Sequence, residues 1–328
     1  MAEPGLSEII TTTARNRRKK LMDDVSNHNP IFVKGNQFDA IDDSETGGRT
    51  LVEEIAYAEN STFIRFANNQ TLNTGFNTTM TAFEYDWKQW GICIGITGRD
   101  ELMNSGPEGY IKLLKSRFTI AENTLKNKLY ADFLSDGTAD GGLQIGGLAL
   151  GITATPSSGS LGGITRSAGS FAQNYYFGGV TNGTGAKNTS NIKGYLTTCI
   201  INTTRMEDRP KLLLQGKTDY ATLMGALQAN QFITDPVLAK AGYENIVYQG
   251  IPAVLGAGVN LGGETLISDT ATYGLNFSGF KLRMHKDCNM TPLPEIQSFN
   301  QYAKIQLIVS MGNVTWSAPF LNFLLNDS

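Results

Sequence analysis

Between Asn104 and Gly137 the chain reads NSGPEGYIKLLKSRFTIAENTLKNKLYADFLSDG, and this stretch decides the fold. Asn104, Ser105 and Gly106 place small capping residues ahead of Pro107, whose fixed φ suits a first helical turn and whose missing N–H costs nothing there. Tyr110, Leu114, Phe118, Ala121, Leu125, Leu129 and Phe133 then recur at steps of three or four, with most charged residues off that stripe. Ser135-Asp136-Gly137 ends the pattern, because Gly137 can take the left-handed conformation that closes a helix. About 28 residues at ~1.5 Å each make a rod of roughly 42 Å, over twice the average helix. One such helix among strand-rich flanks predicts an α+β fold in which a spine carries sheets.

Composition narrows the function. At 328 residues the chain can bury a sizeable core, and with 17% charged residues and a net charge of −3 its bulk electrostatics favour neither nucleic acid nor membrane. Abundant Gly, Asn and Thr favour strands, turns and long loops. Cys93, Cys199 and Cys288 are odd in number and far apart, which reads as buried thiols in a reducing compartment. A polar, basic N-terminus and the lack of any run near ~18 apolar residues lead us to expect a soluble, cytoplasmic protein.

Around the spine the texture changes by segment. Residues 1–35 read as an arm carrying the basic run Arg15, Arg17, Arg18, Lys19 and Lys20, either a solvated tail or a contact for phosphate or an acidic neighbour. Residues 36–80 are acidic: Asp39, Asp42, Asp43, Glu45, Glu53, Glu54 and Glu59 accompany only Arg49 and Arg65. Thr50 to Tyr57 and Thr62 to Phe66 have strand composition, with Gly47-Gly48 as a turn. Two strands without a core of their own need a partner surface, unless they fold onto their own domain.

From 79 to 97, Phe83, Tyr85 and Trp87 alternate with polar residues before Trp90, Ile92, Ile94 and Ile96 take over the register, predicting a bulge or change of face between Trp87 and Trp90. Residues 138–280 are glycine-rich and read as a second, inserted domain. There Tyr195 to Asn202 reads as a buried strand, Thr218 to Asn230 as a helix with Tyr220, Leu223 and Leu227 on one face, and Val247 to Val254 as strand, turn, strand. In 281–328, Gln301 to Val309 reads as a long strand continued by Met311 to Trp316, expected to pair with 79–97 beside the spine.

No motif in the sequence carries catalytic, metal-ligand or cofactor chemistry. His28 and His285 lack metal-ligand spacing, and no Gly-x-Ser-x-Gly elbow offers a nucleophile. Gly216-Lys217-Thr218 imitates the end of a phosphate-binding loop, but Lys211 stands where its first glycine belongs. Asp136 to Gly141 lacks the alternating acids and terminal Glu of a calcium loop. These absences predict a structural protein rather than an enzyme.

Taken in order, these features resemble a tailed-bacteriophage major capsid protein of the HK97-like fold. The local text that carries the resemblance is Gly47-Gly48-Arg49-Thr50, Ala82 to Gln89, Asn104-Ser105-Gly106, Ser135-Asp136-Gly137-Thr138, Gln144 to Leu148 and Gly162 to Arg166. The resemblance implies an N-terminal arm (1–35), an extended E-loop (36–80), a P-domain strand and spine helix (81–137), an A-domain (138–280), and return strands completing the P-domain (281–328). It implies self-assembly as pentamers and hexamers into an icosahedral head enclosing double-stranded DNA, bound non-specifically, in a virion assembled in the host cytoplasm. Separate scaffolding, portal and decoration proteins are the further partners it allows, and no membrane.

Charge segregation adds an expectation about contacts. Asp42, Asp43, Arg49, Glu53 and Glu54 of the E-loop would lie over a neighbour's Lys112, Lys115, Lys126 or Lys128, and Arg15, Arg17, Arg18, Lys19 and Lys20 would face the DNA. Some shells of this fold form isopeptide links from an E-loop lysine; no lysine lies between Lys34 and Lys88, so none is expected here. The alternative within the fold is an encapsulin-like shell for protein cargo. A fibre or adhesin would show repeats or an export signal, and an enzyme would rest on the broken Gly-Lys-Thr match alone.

Overall fold

The structure, a computed structural model, describes residues 30–99, 107–227, 236–240, 245–256, 267–294, 296–297 and 302–327, with 107–116 as backbone only. The spine helix runs Pro107–Leu134, 28 residues. Phe118, Ala121, Leu125, Leu129 and Phe133 are all buried, as the stripe predicts, and Ile120 on the opposite side is exposed. Its capping residues Asn104 to Gly106, and the side chains of Tyr110 and Leu114, lie outside the described residues. The end is built as expected: the Ser135 hydroxyl donates to the Asp132 carbonyl at 2.7 Å, and Gly137 sits at φ +78°. A Cβ at Gly137 would also come within 3.0 Å of Gly146 Cα, so both backbone angle and close approach require glycine.

The helix lies against the strand Lys88–Thr97, where the Arg117 guanidinium reaches the Gly95 carbonyl. That strand pairs antiparallel with Ala303–Trp316 from Thr97↔Ala303 to Lys88↔Gly312, so the expected pairing with the 79–97 segment is found for residues 88–97 only. Phe280–His285 pairs with the other end of the return strand, from Phe280↔Trp316 to Met284↔Gly312, and Ile41–Glu45 runs parallel beside it. Phe133, Phe280 and Trp316 make a chain of ring contacts at 6.1 and 4.8 Å that fastens the helix to this sheet. Gly151 lies flat on the Trp316 indole, where a Cβ would meet ring atoms at 2.1 Å.

A second sheet takes its strands in the order Tyr175–Gly178, Phe323–Asn326, Thr272–Leu275, Leu212–Gln215, Ile251–Leu255 and Asn245–Tyr248. The expected strand–turn–strand at Val247 to Val254 is its terminal hairpin. Phe323–Asn326 comes from the tail, so 281–328 serves both sheets rather than the first alone. Helices Ile192–Thr203 and Lys217–Ala226 cover this sheet over a core containing Leu196, Cys199, Leu213, Leu223 and Phe323. The second helix is as expected, with Tyr220 and Leu223 buried.

Two strand expectations fail. Tyr195 to Asn202 is helical, because Ile192, Tyr195, Leu196, Cys199, Ile200 and Thr203 bury a face at helical spacing. Thr197, Thr198, Thr203 and Thr204 each donate a hydroxyl to the carbonyl four residues earlier, so residues suited to strands satisfy themselves within the helix. Thr62 to Phe66 is not a strand; Leu51–Ala56 pairs instead with Met80–Tyr85, from Leu51↔Tyr85 to Ala56↔Met80. The predicted change between Trp87 and Trp90 is a full break at Asp86-Trp87, after which the chain leaves one sheet for the other.

Candidate functional site

The features with a passing likeness to chemistry are occupied by structure. At Gly216-Lys217-Thr218 the amides of Thr218 and Asp219 both donate to the Asp269 carbonyl, which takes the place an anion would need. Burial pushes the Cys199 thiol up to about 12, so it is inert in the native state. His285 accepts the Asp287 amide at Nδ1 and meets the Trp87 ring edge-on at 5.7 Å, while His28 lies outside the described residues. No group of three potential metal ligands occurs among the described residues, and no described helix is long and apolar enough to cross a membrane.

The surface that stands out is the hairpin of Leu51–Ala56 and Met80–Tyr85 with the loop that joins them. Its root is inside the protein: Leu51, Phe83 and Tyr85 are buried, and the Tyr85 hydroxyl donates to the Trp316 carbonyl at 2.9 Å. Beyond Ala56 the chain has neither helix nor strand until Met80, and it leaves Phe63, Phe66 and Phe76 exposed by 77%, 63% and 104%. Leu72 and Met80 join them. Local hydrogen bonds shape this loop, such as Asn60 accepting from the Thr62 amide and hydroxyl, and the Arg65 guanidinium lies 5.5 Å over the Phe63 ring, yet the rings stay exposed among the described residues. Several large aromatic rings are thus held in water on one projection, which is uncommon on a monomer's surface.

The acidic residues divide at the hairpin root. Arg283, on the strand Phe280–His285, donates from Nε to Glu53 Oε1 at 2.6 Å, and its Nη1 faces Glu45 and, at 3.5 Å, Asp42. The Thr315 hydroxyl adds a 2.6 Å hydrogen bond to the same Glu53 oxygen. Asp42, Glu45 and Glu53 therefore have a basic partner within their own chain. Asp43, Arg49 and Glu54 are exposed, as is Lys128 on the spine. The side chains of Lys112, Lys115 and Lys126, and all of Arg15, Arg17, Arg18, Lys19 and Lys20, lie outside the described residues.

Sequence reasoning named the carboxylates but missed Arg283, which lies some 230 residues from Glu53 and carries no local signature. It also passed over Phe63, Phe66 and Phe76. Their signal was available: aromatic residues in an Asn/Thr-rich stretch without the periodicity of either a helix or a strand.

No protein-family model and no curated protein matches the chain. Solved structures do. Over 90% of its length the chain is similar to 93% of the cyanophage A-1(L) capsid chain, with TM-score 0.58 and 15% identity. It shares TM-score 0.54 and 9% identity with the capsid of an empty GTA particle, covering 89% of each chain. With the encapsulin SrpI of Synechococcus elongatus PCC 7942 the TM-score is 0.52 at 11% identity, over 89% of this chain and 87% of that one. At these identities the likeness shows the fold alone, and that fold is HK97-like.

Proposed function

We propose that the chain is the major capsid protein of a tailed bacteriophage, assembling as pentamers and hexamers into an icosahedral head around double-stranded DNA. The observation that carries this reading is the exposed aromatic loop of the hairpin on a fold shared with shell proteins. An isolated subunit leaves Phe63, Phe66 and Phe76 in water, whereas a lattice of copies can bury each of them on a neighbour. Full burial of one such side chain contributes about 1.5–3 kcal/mol, and a shell repeats the contact at every subunit.

The polar part of the contact is narrower than the sequence alone suggests. Glu53 and Asp42 are engaged by Arg283, so Asp43 and Glu54 are the E-loop carboxylates available to a neighbour's lysines, Lys128 among them, while Arg49 is available to a neighbour's acids. An exposed pair contributes only about 0–1 kcal/mol, so the aromatic loop supplies affinity and the charges supply register. The basic run from Arg15 to Lys20 is the segment proposed to face the DNA, held through its phosphates and therefore without sequence preference.

A second reading keeps the fold and changes the content: the similarity to an encapsulin allows a shell that encloses protein. Cryo-electron microscopy of particles, combined with a nuclease-protection assay, separates the two. Closed shells holding protected genome-length DNA support the capsid, and shells holding protein without DNA support the compartment. A chain that remains monomeric with and without a scaffolding partner would refute both.

A further inference from the structure

The loop after Tyr175–Gly178 carries the only Asn-Gly pair in the sequence, Asn182-Gly183. Such a pair can react with itself. The Gly183 backbone nitrogen attacks Asn182 Cγ, an N–C bond forms, and the side-chain amide leaves as ammonia. Water then opens the cyclic imide at either carbonyl. The product is aspartate in the normal backbone, or isoaspartate, which adds a carbon to the main chain. Glycine favours the attack because no side chain crowds its nitrogen and its backbone turns freely. Water is the only co-reactant.

The loop exposes this pair to solvent yet holds it out of the reactive shape. Asn182 is exposed, and among the described residues the Gly183 amide makes no hydrogen bond, so the nucleophile itself is not tied up. The electrophile is. Asn182 Oδ1 accepts the Gly178 amide at 2.9 Å, and the Asn182 amide donates to the Gly178 carbonyl at 2.7 Å. The side chain is thereby turned back towards Gly178. Gly183 is fixed from its other side, where a Cβ would meet Tyr195 Cζ at 2.5 Å and the Gly179 carbonyl oxygen at 2.6 Å. The Tyr195 hydroxyl accepts the Thr184 amide at 2.7 Å and donates to the Gly185 carbonyl at 3.1 Å, fastening the next two residues. Tyr195 is itself buried beside Phe177, with ring centroids 5.1 Å apart. Attack needs the Asn182 side chain to leave Gly178 and the peptide that follows it to rotate, so both clamps must open.

We infer that Asn182 is a site of spontaneous deamidation and that the Tyr195 clamp sets its rate. While the loop is closed the pair is preserved. Each local opening lets the reaction run, so product accumulates with the time this loop spends open. The product alters the fold. A carboxylate replaces a neutral amide, and isoaspartate lengthens a loop that is held at both ends, Gly179 by Asn326 and Lys187 by Asp327. The isoaspartyl form therefore does not close over Tyr195 as before. This is a property of one chain and does not depend on the shell reading.

The test ages the full-length, unassembled chain at mildly alkaline pH. Mass spectrometry of the peptide containing Asn182 follows the loss of the amide, and chromatography scores the isoaspartyl form. A synthetic peptide of residues 176–190 supplies the unconstrained rate. The folded parent should react at least about tenfold more slowly than that peptide, as a site protected by local structure does. Tyr195→Phe keeps the ring, removes the hydroxyl, and should react about fivefold faster than the parent, the effect of one net hydrogen bond. Urea below the unfolding midpoint should accelerate the parent in the same direction, which serves if Tyr195→Phe does not fold. A parent as fast as the peptide overturns the inference. So does a folded Tyr195→Phe variant, or a urea-treated parent, that reacts no faster than the parent in buffer.

Discussion

Replacing Lys187 by methionine should destabilise the second domain far more than loss of a surface charge would. Lys187 ends a glycine-rich excursion after Tyr175–Gly178, and its ammonium lies 2.6 Å from Asp219 Oδ2 with both side chains 1% exposed. It also reaches the Thr270 carbonyl, and Asp327 stands 4.0 Å away. Asp219 keeps one other partner on that oxygen, the Thr272 hydroxyl at 2.5 Å, while its Oδ1 is buried without one. Lys187→Met therefore leaves a buried carboxylate nearly uncompensated, which costs about 3–5 kcal/mol.

A double variant, Lys187→Met with Asp219→Leu, removes both charges and should recover most of that loss, because apolar residues of similar size often replace a buried pair at no cost. Urea denaturation of the parent, both single variants and the double closes the cycle. The sign with pH is also fixed. Burial pushes the Asp219 carboxyl up, outweighing the pull of Lys187, and without Lys187 it rises further. A raised native value means that stability is present at low pH and lost as pH rises, so the deficit of Lys187→Met should shrink in acid. A single-variant loss under about 1 kcal/mol, the value of a solvated pair, would refute the reasoning. So would a double variant less stable than either single one.

Three further outcomes are expected. Phe76→Ser and Phe63→Ser should leave the denaturation midpoint of the isolated subunit within about 0.5 kcal/mol of the parent and abolish particles in sedimentation, since these rings touch little within the chain. Asp42 accepts from the Ser44 hydroxyl and amide, which outweighs partial burial and, with Arg283 and Lys281 nearby, holds its carboxyl below the usual value of 3.8. The stability it lends is present above that value and lost as pH falls through the native one, so Asp42→Asn should flatten the acid limb of a pH–stability curve. Maleimide should label Cys93 in the native protein and Cys199 only after unfolding, read by peptide mass; native labelling of Cys199 would contradict its packing.

What the sequence disclosed, and what it hid, follows from range. The spine was legible because its signals are local: Phe118 to Phe133 repeat at helical spacing, and Gly137 marks the stop within a few residues of the last turn. The pairing of 88–97 with 303–316 could be inferred because both strands are long and apolar. Tyr195 to Asn202 misled because Cys199, Ile200 and Ile201 look alike in a strand or a buried helix until the flanking Ile192 and Leu196 are placed on the same face. The hairpin partner of Leu51–Ala56 was missed for the opposite reason. Thr62 to Phe66 is nearer in sequence, but Met80–Tyr85 carries Phe83 and Tyr85 into the core. The contact of Glu53 with Arg283 and Thr315 was invisible because it forms only once the hairpin packs against a sheet built from two other distant segments.

The topology of the two sheets sets a clock. Phe323–Asn326 is an interior strand of the second sheet, inserted between Tyr175–Gly178 and Thr272–Leu275, and Ala303–Trp316 is the strand on which the first sheet is assembled. Neither sheet can close until residues 303–326 have been synthesised, and contacts of such long sequence separation form slowly. A ribosome-bound chain would therefore present its hairpin on an unfinished body. The second sheet is complete only when Phe323–Asn326 lies between Tyr175–Gly178 and Thr272–Leu275, so its two halves are joined by a segment that follows both of them in the chain.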